Sequence, residues 1–160
     1  MKKIFIFTFI CLSLCLVTGC GEKNVEGSLD ELMASVYSDV YEGVADDQKP
    51  MLGTINVLQD APDNIEYYIG TKEIEYEEIF VSEPMIGSIP HSVVLVRMKD
   101  GADINAAKTK IKDTVNPRKW VCVGVEAEDV IVKSKGDLII LIMVKDEKAR
   151  EKIEKGFDNL

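Results

Sequence analysis

The chain holds one histidine, one tryptophan and five prolines in 160 residues, and three of its four cysteines fall within the first 20 positions. One histidine and one downstream cysteine cannot fill a tetrahedral zinc site. No Asp-x-Asp-x-Asp-Gly loop occurs, so the acidic run Glu73, Glu75, Glu77 and Glu78 lacks the loop chemistry of a calcium site and reads as a solvated face. No glycine-rich phosphate loop, serine nucleophile motif or paired catalytic carboxylate stands out, and no cofactor is expected. Positive charge is scarce as well: 19 Lys and Arg stand against 28 Asp and Glu, which makes nucleic acid an improbable partner.

What is present begins at the N-terminus. Met1-Lys2-Lys3 is followed by an uncharged run from Ile4 to Val17, the pattern of an export signal. At 1.5 Å per residue that run reaches only roughly 21 Å as a helix, short of the ~30 Å needed to span a bilayer. It ends in Val17-Thr18-Gly19-Cys20, which resembles the lipobox of bacterial lipoproteins. Cleavage is expected between Gly19 and Cys20, with a diacylglyceryl thioether on the Cys20 sulfur. Cys11 and Cys15 follow the bulky Ile10 and Leu14 and do not fit a small-residue cleavage site. Two long acyl chains hold a protein on a membrane far longer than one, since each buried CH₂ contributes about 0.8 kcal/mol. Removing the signal takes Lys2 and Lys3 with it and leaves 17 basic against 28 acidic side chains, a net charge of −11. The lipid, not electrostatics, must then do the anchoring. With Cys20 lipidated, Cys122 is the one free thiol, no intramolecular disulfide is possible, and the domain must rest on its apolar core.

Three segments follow: residues 1–19 as signal peptide, 20–27 as a flexible lipid-anchored tether, and 28–160 as one domain. Ser28 and Glu31 form a capping-box pattern ahead of Leu29, Leu32, Met33, Val36, Tyr37, Val40 and Tyr41, predicting an amphipathic helix that ends near Gly43. Thr54 to Leu58 is a strand candidate, and 63–80 fits neither the helical nor the strand period. Val93 to Met98 is a β-branched strand ending at Asp100-Gly101, and Asp103 caps a helix carrying Ile104, Ala107, Ile111 and Val115 on one face. Lys119 to Val125 alternates and predicts a strand with Trp120 and Cys122 on one face, Cys122 being a small buried residue. Val130 to Val132, the turn Ser134-Lys135-Gly136-Asp137 and the wholly apolar Leu138 to Val144 predict a hairpin whose second strand is covered on both faces. Asp146 to Phe157 is a helix with Ala149, Ile153 and Phe157 inward. The expected fold is α+β, a two-layer domain with a largely antiparallel sheet packed by helices.

Glu83-Pro84-Met85-Ile86-Gly87-Ser88, His91-Ser92-Val93-Val94-Leu95-Val96-Arg97, Pro117-Arg118-Lys119-Trp120-Val121-Cys122 and Gly136-Asp137-Leu138 carry a likeness over roughly Ile65 to Phe157. In these segments the chain resembles the domain of unknown function 4358, found in Gram-positive bacterial lipoproteins and related exported proteins. The resemblance implies no enzymatic activity, and it agrees with the lipobox.

The reading that follows is an exported protein, lipid-anchored to the outer face of the cytoplasmic membrane, whose domain binds a protein or small ligand without catalysis. A thiol hydrolase or transferase using Cys122 and His91 is one alternative, and a structural or assembly factor is another. Lys108, Lys110, Lys112, Arg118 and Lys119 form the one basic cluster and read as a solvated face rather than a contact for anionic polymers. Tyr37, Tyr41, Tyr67 and Tyr68 are aromatic surface for a glycan or peptide, or, on the reading favoured here, the boundary of the core.

Overall fold

Strand β5, Leu138–Val144, is apolar at all seven positions and buried along its whole length. A strand presents alternate side chains to opposite faces, so a run like this demands cover on both sides. The computed structural model, which describes residues 23–160, provides it. Signal segment, lipobox and Cys20 lie outside the described residues. Ile139, Leu141 and Met143 enter one core, while Leu138, Ile140, Ile142 and Val144 enter another. Burying one such side chain is worth roughly 1.5–3 kcal/mol, and β5 contributes to both cores at once.

The other strands are β1 (Leu52–Asn56), β2 (Tyr76–Pro84), β3 (His91–Met98) and β4 (Ile131–Lys135). They form one sheet in the order β1-β2-β3-β5-β4 with every pairing antiparallel. Helices α1 (Leu29–Val36) and α5 (Glu147–Asp158) pack on one face. Helices α2 (Val57–Asp60), α3 (Ile65–Ile69) and α4 (Ile104–Thr114) cover the other. The fold is α+β as expected, but the two-layer arrangement is corrected: the sheet is a middle layer between two helical ones.

Local chemistry sets the element ends. The Asp103 and Asp146 carboxylates accept the N–H groups of Ala106 and Ala149, capping α4 and α5. Ser28 is the N-cap of α1, and its own N–H donates to Glu31. Regular α-helix stops at Val36, short of Gly43, and three-residue turns such as Val40 N–H to Tyr37 O continue the chain. β1 ends at Asn56, earlier than the strand to Leu58 expected from sequence, because α2 begins at Val57, its last residue Asp60 accepting the Asn56 N–H. Gly136, at φ +55°, makes the β4–β5 turn.

Two further expectations fail. Residues 119–125 form a loop, not a strand: Val125 N–H donates to Pro117 O, closing the segment on itself, and Cys122 sits at φ +58°, outside extended geometry. Residues 23–27 are no flexible tether either. Asp137 accepts the Val25 N–H at 2.9 Å, and Arg97, paired with Asp137 at 2.6 Å, donates to the carbonyls of Val25 and Gly27. The chain therefore enters the domain at the Arg97–Leu138 end of the sheet. His91, six residues away along β3, lies roughly 20 Å from there.

Candidate functional site

His91 and Ser92 are neighbours at the start of β3, so their side chains leave opposite faces of the sheet. Each anchors a buried polar cluster at the end of the molecule away from Lys23.

His91 is 3% exposed. Its Nε2 is hydrogen-bonded to the Tyr37 hydroxyl at 2.7 Å, and its Nδ1 lies 3.5 Å from the Tyr41 hydroxyl. The rings of Tyr37 and Tyr41 stack at 6.4 Å, and Tyr37 stacks on the imidazole at 6.0 Å. Burial drives the imidazole pKa down to about 4, against the opposing pull of Asp146. Burial also raises both phenols, with Asp146 adding to the effect on Tyr41, which is pushed up to about 12. All three groups are thus neutral at ordinary pH. Tyr41 and His91 border a cleft of about 800 Å³ between the 40–50 segment and the start of α5, within the usual size of a small-molecule site.

This arrangement has a pH consequence. Unfolded, His91 takes up a proton near pH 6.5; folded, it resists until about pH 4. Its contribution to stability is complete above pH 6.5 and is lost as pH falls from there to 4, a loss on the order of 3 kcal/mol. Urea unfolding at stepped pH is expected to show this slope in the native chain and a flatter one in His91→Gln.

On the other face, Ser92 Oγ donates to Glu83 at 2.6 Å, and Lys119 Nζ pairs with Glu83 and lies 3.2 Å from Ser92 Oγ. The Lys119 side chain is 2% exposed. Its ammonium stands 4.5 Å from the Tyr67 ring centroid, with Tyr68 and Trp120 also within cation–π range. Burial lowers the Lys119 pKa, and the Glu83 charge and hydrogen bond oppose that. The solvated-cluster reading is therefore corrected for Lys119. Of its companions, Lys112 donates to the Ala127 and Val130 carbonyls, Lys110 pairs with Glu73, and Arg118 pairs with Glu126.

Cys122 is exposed, contrary to the buried position its alternation suggested. Trp120 and Val125, which bracket it, belong to the core opposite the one His91 faces. Cys122 makes no hydrogen bond with His91, whose nitrogens are engaged by Tyr37 and Tyr41. A thiol reagent is expected to label Cys122 stoichiometrically in the folded protein; protection until unfolding would contradict the exposed loop.

Sequence reading singled out His91, Tyr37, Tyr41 and Lys119 but missed the partners Glu83 and Ser92, and it missed the cleft wall Lys145–Lys152. A carboxylate and a serine next to apolar strand runs were the available signal. Among the described residues no group of three or more His, Cys, Asp or Glu is placed to hold a metal, and no helix is long and apolar enough to cross a membrane. No protein-family model matches the chain, and neither a curated protein nor a solved structure matches it.

Proposed function

We propose that this chain is an exported lipoprotein, held on the outer face of the cytoplasmic membrane through a diacylglyceryl thioether on Cys20, whose domain is a noncatalytic binding module. Membership in the domain of unknown function 4358 family is part of the same reading. The observation that carries the binding role is the cleft beside His91 and Tyr41: its volume suits a small ligand and its polar floor is neutral. The clamp of Arg97 and Asp137 fixes residues 25–27 at the opposite end of β3, so a lipid on Cys20 would leave the cleft facing away from the bilayer. The thermal midpoint of the chain across metals, glycans, peptides and metabolites tests the binding role, because a ligand that binds the native state raises stability by mass action. A concentration-dependent rise supports it, and no shift across the panel contradicts a small-ligand module. Fatty-acid labelling of the wild type, lost in Cys20→Ala, tests the anchor.

One observation favours an assembly role as the second reading. Met51, Met85, Ile86 and Val121 are all more than half exposed. They belong to one end of the sheet, since Met85 N–H donates to Met51 O and Val121 N–H to Gly87 O. An apolar tip of this kind marks protein contacts more often than a bare surface does.

A further inference from the structure

The two walls of the cleft carry charge of opposite sign. One wall, from the 40–50 segment, presents Glu42 and Asp47, while the other, from the end of β5 and the first turns of α5, presents Lys145, Lys148 and Lys152. Lys145, Lys148, Glu42 and Asp47 are exposed, and none has an ion-pair partner among the described residues. Lys49 and Asp146 also line the cleft: Lys49 is paired with Asp46, whereas Asp146, although it accepts the Ala149 N–H as the cap of α5, keeps its charge, so its wall carries one negative charge against three lysines and stays net positive. Lys152 reaches across to the Asp39 carbonyl. Between the charged walls the lining is apolar, its accessible part supplied by Val44 and Ile89 over the buried Val40 and Val144, and the Tyr41 hydroxyl lies at the floor beside His91.

We propose that this cleft binds a zwitterionic ligand with an apolar body, an amino acid or short peptide, with its ammonium toward Glu42 and Asp47 and its carboxylate toward Lys145 and Lys148. The sorting of charge selects this class. A purely anionic amphiphile would place its head between the lysines but leave the acidic wall unanswered, and a cation would meet the converse problem. A zwitterion satisfies both walls, while its apolar side chain displaces water from the valine and isoleucine surface. The polar floor adds direction, since a tyrosine hydroxyl both donates and accepts.

This inference rests on the binding-module reading, and its test separates the two. The full chain in mild detergent is titrated calorimetrically with leucyl-leucine, its N-acetyl form, its C-terminal amide and laurate. The expected result is saturable binding of leucyl-leucine, weakened about tenfold or more by blocking either end, as expected for the loss of a charge-assisted contact. The double variant Lys145→Glu, Lys148→Glu is expected to lose binding without a change in thermal midpoint, and Val121→Ser at the apolar tip to bind normally. Equal affinity for blocked and free dipeptide overturns the zwitterion assignment. Binding of laurate but not of the dipeptide overturns it too, and leaves the binding module standing. No binding of any of the four compounds overturns the zwitterion assignment, and the wider thermal panel then decides the module separately.

Discussion

Replacing Glu83 with leucine is expected to lower stability by about 3 to 5 kcal/mol, because it strands the Lys119 ammonium in the core without its counter-charge. Lys119 is buried under Tyr67, Tyr68 and Trp120, and Ser92 loses its acceptor in the same step. Glu83 is what opposes the downward pull of burial on the Lys119 pKa. Without it the amine is expected to release its proton at lower pH, so stability should rise with pH from that lowered folded pKa up to the ordinary lysine value of 10.5. Adding Lys119→Met to Glu83→Leu is expected to recover most of the loss, since a buried pair replaced by apolar groups is often neutral. Urea midpoints for the two singles and the double close the cycle; additive losses in the double would contradict a coupled pair.

Gly156→Ala is the second large effect. Gly156 lies within α5, where alanine is favoured over glycine by about 1 kcal/mol on helix propensity alone. A β-carbon there would sit 2.3 Å from the Val36 carbonyl oxygen at the end of α1. That contact is with backbone, which cannot swing aside, so α1 and α5 must separate over the core that holds Phe157 and Ile153. Overpacking typically costs about 1–3 kcal/mol, and a contact with fixed backbone belongs at the upper end of that range, which outweighs the propensity gain. Thermal unfolding is expected to show a net loss, whereas Gly87→Ala, with nothing within 4 Å of its β-carbon, should be near neutral.

These variants mark where sequence was legible. α4 and α5 were readable because their caps and inward residues are local: Asp103 and Asp146 precede clean helical periods. β5 and its turn were readable from an unbroken apolar run and Gly136. That run implied cover on both faces, so a third layer follows from it, although α2 and α3 are too short to show a period. The 119–125 segment misled because alternation was its only signal, whereas Val125 N–H to Pro117 O and the left-handed Cys122 bend it back. Lys119 looked like surface because its partners, the counter-charge Glu83 and the hydroxyl of Ser92, are 36 and 27 residues away. The cleft was invisible for the same reason: its acidic and basic walls are a hundred residues apart, and only the packing of α1 and α5 on one face of the sheet brings them together. His91 was noticed as a lone histidine, but the tyrosines that hold it were read as core boundary, and nothing local joins the two.

The proposed working surface is the cleft beside His91, at the end of the sheet opposite the clamped residues 25–27. Amide hydrogen exchange of the full chain with and without saturating leucyl-leucine tests it most directly. Slowed exchange confined to residues 40–50 and 144–152 is the expected footprint. Unchanged exchange there, or protection centred on the apolar tip at 85–88 and 121, would contradict the account.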